Sequence, residues 1–145
     1  HGAAMETLRL YPISLGHSCR ALQPFIFAGY RVEPGADVFV AMTVSHFLPE
    51  LFHQPEVFDV DRYSSPRNEH RQPGAYAPFG LGDHTCLGAG IAETQLMSTI
   101  ATLLFLYQLA LDAPDHTIHP LEAMHSLTRE QFRIRVVACR QPEEE

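Results

Sequence analysis

Hydrophobic and polar positions change their rhythm several times along the chain. From Gly2 to Tyr11 the apolar residues Met5, Leu8 and Leu10 are spaced as on a helix, and Pro12 ends it because proline removes a donor and restricts the residue before it. Two apolar-rich runs follow, PFIFAGYRV (24–32) and ADVFVAMTV (36–44). Between them, Pro34-Gly35 in the centre of Glu33–Ala36 reads as a type II turn, so the two runs are predicted to pair as a hairpin. From Pro49 to Pro78 the periodicity fades. This stretch carries five prolines and the aromatic anchors Phe52, Phe58, Tyr63 and Tyr76, and reads as an irregular meander. A loop that long in a compact domain is usually functional.

A helix is predicted from about Leu87 to Leu106, with Leu87, Ile91, Ile100, Leu103, Leu104 and Tyr107 roughly on one side. Strands are expected near Tyr107–Leu111 and Phe132–Val137; in the second, Phe132, Ile134 and Val136 alternate with Arg133 and Arg135. The chain divides into a helix at 1–11, a hairpin region at 19–44, a meander and cysteine loop at 49–88, a long helix at 87–106, strands within 107–137 and a solvated tail at 138–145.

Composition narrows the function. With 145 residues, 46 % hydrophobic and 19 % charged, the chain is one globular unit or a piece of a larger one. A net charge of −7 argues against a general binder of nucleic acid or anionic membrane. The three cysteines, Cys19, Cys86 and Cys139, fit a reducing compartment better than a disulfide framework. The apolar run Met97–Leu111 reads as too short and too polar to cross a bilayer, and no membrane segment or signal peptide is evident. The opening residues read as the middle of a helix, so truncation is expected.

The densest chemistry lies in PFGLGDHTCLG, residues 78–88. Glycines at 80, 82 and 88 permit positive φ or close approach. Cys86 stands at the mouth of the long helix, where unpaired N–H groups and the positive helix end favour negative charge on sulfur. A thiolate is a nucleophile or a metal ligand. His84 lies two residues away, where side chains on an extended loop diverge, so a Cys–His dyad is not expected. His17-Ser18-Cys19 and His84-Thr85-Cys86 raise a Cys2His2 zinc alternative, at a spacing atypical for structural zinc. The remaining option is one thiolate on haem iron.

The string Phe79-x-x-Gly82-x-His84-x-Cys86-x-Gly88 fits FxxGxHxCxG at every fixed position and resembles the haem-binding signature of the cytochrome P450 family. Other elements follow in the family's order. Glu6-Thr7-Leu8-Arg9 matches ExxR, Arg20 sits where the family has an arginine on the next strand, and Pro55 to Tyr63 looks like PxxFxPxRF with Val60 at the second proline. The resemblance runs from Met5 to about Val137.

It implies a mostly α fold with small β-sheets (α+β), the C-terminal part of the family's fold. It implies haem b (iron-protoporphyrin IX), with Cys86 as proximal iron ligand and catalytic centre. Phe79 would shield the sulfur, Gly80 and Gly82 would shape the turn, and Gly88 would let the helix pass close to the porphyrin. Arg20 and His84 would bind the propionates. Glu6, Arg9 and Arg62 would form a buried triad, while Ile13, Leu15 and His17 fall where the family lines its substrate pocket. The implied activity is monooxygenation: one oxygen atom of O2 enters a small organic substrate, with electrons from NAD(P)H through a ferredoxin- or flavodoxin-type donor. Arg67 and Arg71 are candidates for docking that donor. His84 before the cysteine leans toward a soluble, cytoplasmic bacterial-type protein. The distal helix and its proton-delivery residues are expected outside this chain, which by itself is then not competent. A non-catalytic haem-thiolate sensor and a peroxide-using member are the alternatives. Cys19 and Cys139 are expected as small apolar fillers. His46, His53, His116, His119 and His125 receive no role, with surface or loop placement as the default.

Overall fold

The computed structural model describes residues 1–112 and 133–140. Helix α1 spans Gly2–Leu10. It stops as Pro12 dictates: the Tyr11 N–H still reaches the Thr7 carbonyl at 2.8 Å, and the proline has no N–H to continue the ladder. The inner face of α1 is Ala4, Glu6, Arg9 and Leu10, so half of it is charged.

Strands β1 (His17–Arg20), β2 (Phe25–Phe27), β3 (Tyr30–Val32) and β4 (Asp37–Val40) form two antiparallel pairs, and they are not the predicted pair. The run 24–32 folds on itself as β2–β3, while β4 pairs with β1 from His17↔Val40 to Arg20↔Asp37. The cause is a second turn. Ala28 and Gly29 both take positive φ, 49° and 84°, which gives the two-residue loop whose twist suits a tight hairpin. Alanine in that conformation is not a turn signal a sequence displays. The turn at Glu33–Ala36 does form, with the Ala36 N–H on the Glu33 carbonyl at 3.2 Å and Gly35 at φ 86°. It delivers the chain to β4, and mutual bonds between Ala21 and the Gly35–Ala36 segment close the β1–β4 pair around the inner hairpin.

The meander is built from short 3-10 helices at Val44–Phe47, Val60–Tyr63 and Glu69–Arg71. Of its predicted anchors, Phe52 and Tyr63 are buried and Tyr76 is half-buried, whereas Phe58 is exposed. Helix α2 spans Ala89–Leu106, two residues shorter at its start than predicted, with Gly88 as N-cap. Of the residues predicted to share one side, Leu87, Ile91, Leu103 and Leu104 are exposed. Contact with α1 runs instead through Glu93, Leu96 and Met97, which face Ala4, Met5 and Leu8 across a narrow crevice. The 18 residues of α2 have a mean hydropathy of 1.3, so by length and composition alone this helix could cross a membrane, a test that the core helix of a soluble protein also passes.

Strand β5 (Tyr107–Leu111) pairs antiparallel with β6 (Ile134–Cys139), with an irregularity at Gln108/Leu109. Strand β6 begins later than predicted and is exposed along its length. Phe132, His116, His119, His125 and the tail beyond Arg140 lie outside the described residues. Cys19 and Cys139 are exposed thiols rather than packed fillers. Among the described residues, helices α1 and α2, short 3-10 turns and three two-stranded sheets make an α+β fold. Its interior is unusual in kind: beside Ala4, Leu10, Phe52, Tyr63, Ala75 and Ala77, the buried residues include Glu6, Arg9, Thr43, His46 and Arg62.

Candidate functional site

The polar interior is the frame on which the cysteine loop rests. Glu6 and Arg9 lie three apart on α1, and the guanidinium meets the carboxylate as a two-pronged fork, Nε–Oε2 and Nη2–Oε1 both at 2.8 Å. Arg62, from the 3-10 helix Val60–Tyr63, reaches Glu6 Oε1 at 3.0 Å. Tyr63 donates its hydroxyl to Oε2 at 2.7 Å, and the Asp59 N–H donates to Oε1 at 3.0 Å. The second arginine is balanced by Glu69, whose Oε2 lies 2.6 Å from Arg62 Nη1. Remaining guanidinium protons go to carbonyls: Arg9 to His46 at 2.6 Å, Arg62 to His53 and Val57 at 3.0 Å each. Both arginines also lie over the buried Phe52 ring.

Burial would raise the Glu6 carboxyl. The bonds from Arg9, the Asp59 N–H and Tyr63, with the Arg9 charge, outweigh burial and hold it below its ordinary value. Burial and the Glu6 bond push the Tyr63 hydroxyl up, so it stays a donor. Glu69 carries no motif that marks it as a partner, and sequence reading missed it.

His46 was missed too, and its default surface placement is wrong: it is fully buried. The Ala77 N–H donates to Nε2 at 2.9 Å, so Nδ1 carries the proton and donates to the Arg9 carbonyl at 3.1 Å. One neutral imidazole thus satisfies an orphan carbonyl at the end of α1 and pins the backbone just ahead of the cysteine loop. It stacks on Tyr76, ring centres 5.5 Å apart. Burial, with the Arg9 charge adding, lowers His46 from 6.5 to about 4. A depressed folded value means stability that is complete above pH 6.5 and lost as pH falls through 4. The expected loss is about 3 kcal/mol. Denaturant midpoints of the full-length protein between neutral pH and about pH 4 should show it, and His46→Gln, which keeps a donor and an acceptor, should not. An unchanged midpoint in the unsubstituted protein refutes the assignment.

The cysteine loop follows. The Cys86 N–H closes on the Phe79 carbonyl at 2.8 Å, with the Thr85 N–H on Gly82 and the Ala89 N–H on Cys86. Gly80 has φ 84°, a backbone that side chains rarely adopt, and a Cβ there would also crowd the His84 carbonyl at 3.1 Å, so both effects favour glycine. The loop opens into a cavity of about 640 Å³. Phe79, Gly80, His84, Cys86 and Gly88 all line it. Leu8, Ile13, His17, Cys19 and Met42 form other walls, whereas Leu15 is not among the lining residues. The two His-x-Cys pairs therefore share one cavity, but among the described residues no three His, Cys, Asp or Glu converge as a metal site would need.

Arg20 does not line this cavity. Arg20 meets Asp37, its cross-strand neighbour, at 3.1 Å in the open. Arg67, the candidate docking residue, is engaged by Asp59 at 2.5 Å and Glu69 at 2.6 Å, so its charge is balanced at the surface; Arg71 is exposed.

With this geometry in view, the comparisons with known proteins are direct. The family model for cytochrome P450 matches residues 3–136, and the chain belongs to the cytochrome P450 family. It is 36 % identical over 113 residues to the sterol 14alpha-demethylase of Mycolicibacterium vanbaalenii, covering 77 % of this chain and 25 % of that protein. It is 31 % identical over 125 residues to a putative cytochrome P450 136 of Mycobacterium tuberculosis, covering 78 % and 25 %. The chain thus spans about a quarter of the length of these curated relatives. Among solved structures, cyanobacterial CYP120A1 with retinoic acid bound superposes with a TM-score of 0.75 at 27 % identity, over 93 % of this chain and 32 % of that one.

Proposed function

We propose that the protein carrying this chain is a haem-thiolate monooxygenase in which Cys86 is the sole protein ligand to iron. The observation that carries the reading is the Cys86 side chain opening into an apolar cavity at the head of α2, behind a loop whose shape depends on glycine. The cavity suits a flat, iron-bearing macrocycle. Gly88 and Ala92, one helical turn apart, give α2 a nearly bare face there. A Cβ at Gly88 would stand 3.8 Å from the Cys86 sulfur, in the space a ring stacked beside that sulfur needs.

When bound, haem supplies activation of O2 by two electrons and transfer of one oxygen atom to an organic substrate. This chain's residues hold and shield. Cys86 binds the iron as thiolate. Its own N–H is spent on the Phe79 carbonyl, and its carbonyl accepts the Ala89 N–H at the head of α2, so the loop is tied at both ends. Phe79 covers the sulfur side against water. His46 reaches the loop through the Ala77 N–H and Arg9 holds the His46 carbonyl, while Glu6, Arg9, Arg62 and His46 do not line the cavity. NAD(P)H-derived electrons arrive through a ferredoxin- or flavodoxin-type donor, and the protein works in the cytoplasm.

The test is the reduced carbon monoxide difference spectrum of the full-length protein, followed by turnover with a reductase system or with peroxide. A thiolate-type Soret band and reductase-driven oxidation are expected. Absence of the band overturns the reading; the band with peroxide-driven turnover alone, or with none, reassigns the protein to a peroxide-using member or a sensor.

A further inference from the structure

We infer that His46 is a positioning residue for Cys86: as a neutral imidazole it latches the entry of the cysteine loop, and acid opens the latch and frees the thiolate from iron while the rest of the fold stands. The inference rests on the haem reading above and adds a control on the same site. The three residues that lead into the loop, Ala75, Tyr76 and Ala77, are each held by one side-chain hydrogen bond. Ser45 donates its hydroxyl to the Ala75 carbonyl at 2.9 Å, the Tyr76 hydroxyl donates to the Met5 carbonyl at 3.1 Å, and the Ala77 N–H donates to His46 Nε2 at 2.9 Å. The last tie leads on into the loop. The Ala77 carbonyl accepts the Gly80 N–H at 3.2 Å, and the Phe79 carbonyl, just before Gly80, accepts the Cys86 N–H at 2.8 Å. A shift at Ala77 therefore reaches the backbone bond that holds Cys86.

Of these three ties, only the imidazole changes charge in mild acid. A serine hydroxyl does not titrate there, and burial pushes the Tyr76 phenol up. Protonation puts a hydrogen on Nε2, which then faces the Ala77 N–H as donor to donor. Both residues are buried, so neither group has water to turn to. Among the described residues, the charges acting on the ring come from α1: Arg9, which repels a second cation, and Glu6, which offsets it in part. Tyr76, stacked on the ring, and Phe52, edge-on to it, are uncharged. The protonated ring is therefore expelled, and the loop entry goes with it. The sulfur that lets go of iron takes its proton from the acid solvent. Held in place, the ring takes up a proton only at about pH 4; released, it does so at the ordinary 6.5. Acid thus favours the released loop from pH 6.5 downward, and the gain is complete below about 4.

The test follows the reduced carbon monoxide spectrum and the far-ultraviolet circular dichroism of the full-length holoprotein between neutral pH and about pH 4. The ratio of non-thiolate to thiolate band should rise about a hundredfold while the helical signal persists. His46→Gln, which keeps both hydrogen bonds and does not titrate, should lose most of that rise. His17 and His84, which line the cavity, stay in place in every variant, so their own titration cancels in the comparison. His46→Leu should already raise the ratio about tenfold at neutral pH, the effect of a buried N–H left without an acceptor. His53→Gln, at an exposed position, should follow the unsubstituted protein. An equal rise in His46→Gln, or loss of the thiolate band only together with the helical signal, overturns the latch and leaves the proposed function standing. A neutral-pH spectrum of the unsubstituted protein without the thiolate band overturns both.

Discussion

Cys86→Ser in the full-length protein should abolish the thiolate-type carbon monoxide spectrum and all monooxygenation, while Cys19→Ser and Cys139→Ser keep both. The three thiols are exposed among the described residues, so exposure does not choose between them. Position does. Cys139 ends β6, away from the cavity, and Cys19 lies on β1 with its thiol 3.5 Å from the Val38 carbonyl. Only Cys86 combines a place in the cavity with the head of a long helix, where negative charge on sulfur is favoured. Serine keeps the size and loses the soft, anionic donor that iron prefers at this position. A Cys86→Ser protein with an unchanged spectrum would exclude Cys86 as the ligand, and loss of the spectrum in Cys19→Ser with Cys86 intact would transfer the role.

Glu6→Ala should cost about 3–5 kcal/mol, enough to leave little folded holoprotein. Its carboxylate is the meeting point of two buried guanidinium groups, a phenol and a backbone N–H. Removing it strands Arg9 in a fully buried site, where an uncompensated charge is worst tolerated. Glu69 still balances Arg62, so the damage concentrates on Arg9. Glu6→Gln keeps the acceptor oxygen and removes the charge, and should fall between the two. Normal yield of haem-replete Glu6→Ala would sink the network as a stability element. Exposed pairs such as Arg31–Glu33 make the contrast: removing either partner should change stability by less than about 1 kcal/mol.

Local signals in the sequence were reliable where a residue type forces a geometry. Pro12 ends α1, Gly35 makes its turn, and Gly80 occupies a conformation that other residues rarely adopt. The charged trio could be named from its motifs, yet its fourth member, Glu69, could not, because a lone glutamate in a meander looks like any solvated charge. His46 was invisible for a related reason: its worth comes from two backbone groups, on Arg9 and Ala77, which only the tertiary fold brings to it. Strand pairing failed through one unmarked turn at Ala28-Gly29.

The charged interior also sets an order of events during synthesis. Glu6 and Arg9 leave the ribosome well before the groups that complete their shell; the Asp59 N–H lies 53 positions later and the Tyr63 hydroxyl 57. Until that stretch emerges, the Glu6 carboxylate lacks the Arg62, Tyr63 and Asp59 groups that later enclose it, and water hydrates it well. Nothing therefore drives α1 to bury this face early. The long loop must first close, and its entropy is repaid only when Arg62, Tyr63 and the Asp59 N–H arrive together. The nascent segment stays hydrated and charged rather than sticky while it waits. An apolar core in the same place would expose its greasy face to the crowded exit of the ribosome for the same interval.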